Sequence, residues 1–203
     1  MTDTLQIVAK ALERNQMKAY IVKNREEARR LALSMITKAD VVGAGGSITL
    51  EQCGILQELR SKRYKFLDRV QERDKDKRRQ LQKAILTCDV FLSSANAVTM
   101  DGKLVNIDGW GNRVSAMIYG PAKVIIIAGK NKIAKDLESA IERVRNVAAP
   151  KNCIRLNKKT PCVKTGRCMD CDTPDRICSS LVVLERQQSE RIHVILVQED
   201  LGF

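Results

Sequence analysis

At 203 residues the chain is long enough to bury a core without disulfide or metal staples, and a single domain over residues 1–203 is the default expectation. Its 44% hydrophobic and 30% charged residues are those of a globular protein, and no stretch approaches the roughly 18 apolar residues of a membrane span. Aromatics, at 3%, are too scarce for the stacking platforms of single-stranded nucleic-acid binders, while a net charge of +12 either favours an anionic partner, whether a phosphorylated ligand, a coenzyme, an acidic protein or nucleic acid, or equally reflects a solvated basic surface.

Residues 4–15 carry Leu5, Val8, Ala9 and Leu12 on one stripe and predict an amphipathic helix. Residues 1–18 hold no uninterrupted apolar run of the signal-peptide kind, so a cytoplasmic setting is expected. Ala19–Val22 reads as a short strand. Asn24 caps the next helix, with Glu27 in the capping-box position. In "ADVVGAGGSITLEQCGILQEL", Val41 and Val42 end a buried strand, glycines turn the chain, and Thr49 is expected to cap a helix with Gln52 as its box partner. Glu72–Arg79, charged at every position, predicts the exposed start of a helix that becomes apolar from Leu81.

Asp89–Leu92 is the next strand, and Leu104–Ile107 forms a short strand of a hairpin. Residues 111–119 predict a short helix. Val124–Ala128, five apolar residues of which four are β-branched, is the clearest strand, followed by a helix over Lys132–Ala148 ended by Pro150. Cys153–Ser180 shows no periodicity, and His193–Val197 makes a last strand. Strands alternating with helices, the most apolar of them fit for burial on both faces, imply an α/β fold with a doubly wound, mostly parallel, Rossmann-like sheet. Ligands of such sheets bind beyond the strands' carboxyl ends, so the loops after Val42, Leu92 and Ala128 are expected to converge.

Three clusters carry candidate chemistry. Gly45 and Gly46 let backbone approach a ligand, with the hydroxyls of Ser47 and Thr49 beside them; the spacing is neither a Walker A nor a dinucleotide motif, and a plain tight turn explains it equally. Asn96, Thr99, Asp101, Asp108, Asn112 and Arg113 crowd eighteen residues of polar hairpin. An Asp101 or Asp108 carboxylate is a candidate base, and Arg113 a bidentate clamp for an anion. Lys130, Asn131 and Lys132 follow the clearest strand. His193, the sole histidine, is placed for structure rather than catalysis.

The third cluster is "PCVKTGRCMDCDTPDRICSS". Cys162, Cys168, Cys171 and Cys178 stand in the pattern C-x5-C-x2-C-x6-C, where two residues between thiols let both face one metal. Four such thiols hold Zn²⁺ or an iron–sulfur cluster, and this spacing decides for neither. Unligated thiols and a Cys168–Cys171 redox disulfide are the alternatives. Cys53 and Cys88 read as buried small hydrophobes, and Cys153 as an extra ligand or a neighbour.

"VVGAGGSITLEQCGI", "NAVTMDGKLVNIDGWGNRVSAMIYGPAKVIIIAGKNKI" and the cysteine segment together resemble the LUD-domain (lactate-utilisation) family, in particular its short cysteine-containing members. The resemblance covers nearly the whole chain. It implies a fold like the sugar-phosphate isomerase and CoA-transferase superfamily, with the cysteine segment as a loop near the C-terminus. It also implies a link to oxidation of L-lactate or a related 2-hydroxy acid beside iron–sulfur partners. Ligand loops are then expected at Gly45–Thr49, Asn96–Asp101, Asp108–Arg113 and Lys130–Lys132, with a 4Fe–4S cluster, or alternatively zinc, at the four cysteines. The competing reading is a binder or enzyme of a phosphorylated or CoA-linked metabolite with structural zinc. Assembly with further copies of the chain is compatible with either, and a nucleic-acid partner fits least.

Overall fold

The computed structural model describes residues 2–61 and 63–203. Helix α1 (Thr2–Arg14) leads into strand β1 (Lys18–Val22) and helix α2 (Arg25–Ser34). Asn24 caps α2 by accepting the Glu27 N–H at 2.9 Å, and Glu27 reaches back to the Lys23 N–H. Strand β2 (Val41–Ala44) feeds two short helices, α3 (Ile48–Gln52) and α4 (Ile55–Leu59), then strand β3 (Lys65–Leu67). Helix α5 (Lys75–Ile85) starts three residues after Glu72 because the Asp74 carboxylate accepts the Lys77 N–H and fixes the first turn there. Strand β4 (Val90–Ser93) precedes the hairpin of β5 (Ala97–Thr99) and β6 (Leu104–Asp108), then helix α6 (Asn112–Ile118) and strand β7 (Lys123–Gly129).

The segment after β7 departs from the expected helix over Lys132–Ala148. Lys130–Lys132 form a 3₁₀ turn, and Ile133–Ala134 form strand β8, pairing in parallel with β5. Pairing with the hairpin outweighs the helical pattern of these residues. Helix α7 (Leu137–Arg143) begins only after Asp136, which accepts the Ser139 N–H. Nor does Pro150 end the helix. A π-turn at Val144–Ala148 precedes helix α8 (Ala149–Arg155), and Pro150 lies in the first turn of α8, where the widened turn absorbs its missing N–H. The cysteine segment holds helix α9 (Pro161–Thr165) and runs into strand β9 (Ser180–Leu184), an element the periodicity did not reveal; strand β10 (Ile192–Val197) closes the fold.

Six strands form one wholly parallel sheet in the order β1-β10-β7-β4-β2-β3. Its two central strands are buried on both faces. Val124, Ile126 and Ala128 pack with Val194 and Leu196 under α1, while Ile125 and Ile127 pack with Ile195 and Val197 towards α2 and α3. This alternation explains the unbroken apolar run of β7, as expected of an α/β sheet covered on both sides. A smaller mixed sheet, β8-β5-β6-β9, lies over α7 around Ala97, Val105, Ala140 and Val144. Among the described residues, no helix is long and apolar enough to cross a membrane.

Candidate functional site

The carboxyl ends of β2, β4 and β7 converge, and Lys132 stands at their meeting point. Its side chain is 2% exposed. Nζ donates to Thr49 Oγ1 at 2.9 Å, Ser94 Oγ at 2.7 Å and the Ala95 carbonyl at 3.2 Å. Burial, reinforced by the Arg143 and Arg113 guanidinium groups, pushes the lysine down to about 7. Thr49 is therefore not the expected cap. Ser47 caps α3 by accepting the Leu50 N–H, and Thr49 lies two residues further in, where its hydroxyl meets Lys132. Gln52 accepts the Gly202 N–H instead of closing a capping box. Leu201 and Gly202 run across this centre, tied by Leu201 N–H to Asn131 Oδ1 and by Asn131 Nδ2 to the Gly202 carbonyl. Gly202 has φ 61°, and a Cβ there would stand 3.3 Å from Lys132 Nζ. Lys130 lies on the same edge, its N–H on the Glu199 carbonyl.

Arg113 stands beside this centre with a role other than the expected clamp. Nε donates to Asp108 Oδ1, Nη1 to the Ser94 carbonyl and Asn106 Oδ1, and Nη2 to Asn96 Oδ1 and the Ile107 carbonyl. These partners take all five N–H groups of the guanidinium, so none is left for a ligand in this arrangement. Asp108 is equally occupied: Oδ2 accepts the Arg113 and Val114 backbone N–H groups at the start of α6, where Asn112 opens the helix. It is a brace, not a free base. Asn96 is tied into the same net, its carbonyl accepting from Arg143. Asp101 and Thr99 do not join the site. They close the β5–β6 turn against Asn15 of the α1–β1 connection, with the Thr99 hydroxyl on the Asp101 carboxylate and Lys103 beside it.

Gly45 and Gly46 form the turn between β2 and α3, as expected. A Cβ at Gly45 would meet Ser93 Oγ at 2.9 Å, so the close approach needs glycine. Above Gly46 stands Arg69, which sequence reasoning missed; it follows the three-residue strand β3, hidden in a mixed-polarity stretch. Among the described residues its guanidinium makes no hydrogen bond or ion pair. Burial holds its pKa below the ordinary value; Asp108 opposes that shift and Arg113 adds to it. Arg143 was also missed: it donates to the Asn131 and Asn96 carbonyls from helix α7.

The cysteine segment sits against this edge. Ser179 N–H donates to the Asp108 carbonyl, and Ile177 packs on Gly109. Cys162, Cys168, Cys171 and Cys178, together with Cys153 of α8, line one small pocket. Asp170 N–H points to Cys168 Sγ at 3.4 Å across the C-x2-C turn, with Asp170 itself at φ 42°. Among the described residues, no three His, Cys, Asp or Glu side chains stand close enough to hold one ion. Two guanidinium groups also line the pocket. Arg176 donates to the Cys171 and Cys178 carbonyls. Arg145, on the π-turn, has a buried Nε with no acceptor among the described residues. Thiols around a pocket with an orphaned cationic donor fit an anionic metal–thiolate centre, whose sulfurs would accept that N–H. Cys53 and Cys88 lie apart, buried and pushed up to about 11 by desolvation. His193 stacks on Tyr20 and accepts or donates at its hydroxyl, a structural contact between β1 and β10.

Comparison with known proteins fits this architecture. The family model of the LUD domain matches residues 5–197. The crystal structure of a DUF162 family protein from Deinococcus radiodurans superposes with a TM-score of 0.56 at 14% identity, covering 97% of each chain. A ribose 5-phosphate isomerase A from Neisseria gonorrhoeae aligns over 56% of this chain and 54% of its own, at 15% identity and a TM-score of 0.34. Curated proteins give no significant match. With the family model spanning nearly the whole sequence and the fold shared along its length, the chain belongs to the LUD-domain, lactate-utilisation family.

Proposed function

We propose that this lactate-utilisation protein contributes to oxidation of L-lactate or a related 2-hydroxy acid, with a 4Fe–4S cluster at Cys162, Cys168, Cys171 and Cys178. The observation that carries the reading is the bonded path between two chemical centres. Cys178 adjoins Ser179, which bonds Asp108; Asp108 holds Arg113; Arg113 holds the Ser94 carbonyl; and Ser94 Oγ touches Lys132. A cysteine-lined pocket and a buried cationic edge this tightly joined suit substrate binding beside electron transfer. The substrate carboxylate sits against Arg69 over the Gly45–Gly46 turn, since a guanidinium without a partner favours a carboxylate in fork geometry. The Thr49 and Ser94 hydroxyls face its C2 oxygen. Arg113, with no donor to spare, keeps these hydroxyls in position. When bound, a 4Fe–4S cluster supplies one-electron transfer, and an iron–sulfur protein partner is the acceptor class that receives the two electrons released.

Protein purified without oxygen is expected to be brown, with iron near ~4 per chain, and to bind L-lactate in calorimetry. A colourless protein carrying one zinc sinks the redox version. The same Arg69 favours a second reading, because an unpartnered guanidinium over a glycine turn takes a phosphate as well as a carboxylate. Stabilisation by sugar phosphates or CoA esters and never by 2-hydroxy acids would select that reading.

A further inference from the structure

The group for which binding alone leaves no task is Lys132. Its amine ends in a cage of three oxygens, two hydroxyl and one carbonyl, with no carboxylate among them. The charged groups that face it are Arg143 of α7 and Arg113 of α6, with the Cys53 thiol beyond. Burial and those two cations bring the amine to about 7, so near neutral pH a large share of it carries a free lone pair. The Thr49 and Ser94 hydroxyls donate or accept as they rotate, so they can relay protons to and from the nitrogen. A lysine desolvated beside other cations is the arrangement in which an amine attacks a carbonyl carbon. A structural lysine this deep would ordinarily be paired with a carboxylate, and among the described residues this one is not.

We infer that Lys132 is a carbonyl-reactive amine that condenses with the C2 carbonyl of a 2-oxo acid, the oxidised counterpart of a 2-hydroxy acid, held at this edge. The inference rests on the reading of the edge as a site for such acids. The nitrogen lone pair adds to C2. Both amine protons pass by way of Ser94 and Thr49 to the former carbonyl oxygen, which leaves as water, and a C=N bond replaces the C=O bond. No oxidant or reductant enters the step. Arg69 takes the adjoining carboxylate. The Leu201–Gly202 backbone, tied by Asn131 and Gln52, covers the amine and must give way for the acid to reach it.

The test is reductive trapping on the full chain. Pyruvate and cyanoborohydride at neutral pH should leave one carboxyethyl group on the peptide that contains Lys132, found by mass mapping after proteolysis. Lys132→Met and Lys132→Arg should lose that label, with circular dichroism checking their folding; the map of the unaltered protein stands even if a variant fails to fold. No label at Lys132, or label spread without preference over exposed lysines, overturns the inference. So does trapping of dihydroxyacetone phosphate but not pyruvate. Calorimetry with L-lactate separates the two levels: lactate binding without trapping defeats the amine alone, whereas pyruvate trapping in a protein that binds no lactate supports the amine and removes the 2-hydroxy acid reading.

Discussion

At the strand edge most polar side chains already have a partner within the chain, the buried Asn106 Nδ2 and the Arg69 guanidinium being exceptions among the described residues. Arg113 uses all its donors, Asp108 both its oxygens, and Lys132 meets three oxygens. The cysteine pocket differs: five cysteines line it, and among the described residues Arg145 keeps a buried N–H without an acceptor. The first region is preorganised, so its rigidity is built by the chain alone. The second leaves a buried donor unsatisfied, and on the proposed reading the metal it holds would complete its geometry. A densely bonded net holds its groups still, whereas an unsatisfied buried donor is a place where a ligand can add a bond.

The largest expected effect lies in the satisfied net. The Arg113 and Asp108 side chains are 11% and 13% exposed. Arg113→Ala leaves a buried carboxylate and several carbonyls bare, and should cost about 3–5 kcal/mol in denaturant unfolding. A loss under about 1 kcal/mol would show that the net is not the rigid frame described here. Next comes the pH dependence of Lys132. Its folded value, about 7, lies below the ordinary lysine value near 10.4. Between those values the unfolded chain binds the extra proton, so unfolding free energy should rise from about pH 7 towards pH 10, by a few kcal/mol, and this contribution should level off below pH 7, where both states carry the proton. Lys132→Met should flatten that rise, as chemical denaturation across pH would reveal.

How far the sequence reveals these regions follows from the kind of information each needs. The apolar run of β7 was readable because burial on both faces requires it, and the Lys130–Lys132 edge followed from where that strand ends. The four clustered cysteines were readable from spacing alone. Thr49 was misread because Ser47, two residues earlier, competes for the same capping role, and only the position of Lys132 shows which hydroxyl turns inward. Ile133 and Ala134 fit a helix locally but are taken by β5 through a pairing remote in sequence. The burial of Lys132, the isolation of Arg69 and the orphaned Nε of Arg145 are tertiary facts with no local signature.

Arg145 provides the sharpest contrast between the two regions. Arg145→Met in metal-free protein should be neutral or stabilising by about 1 kcal/mol, because it removes an unsatisfied buried donor. In loaded protein the same change should weaken metal retention, read as faster loss to a chelator. Equal behaviour with and without metal would erase the distinction drawn above. The smallest effect is expected at Trp110, 93% exposed between two glycines: Trp110→Ala should move stability by no more than about 0.5 kcal/mol in thermal unfolding.

The most direct measurement is metal analysis of protein purified without oxygen, beside its Cys171→Ser variant. The account predicts iron near ~4 per chain, lost or greatly reduced on the single substitution while the parallel sheet remains folded by circular dichroism. Protein that holds no metal under these conditions, or metal retained undiminished without Cys171, would contradict it.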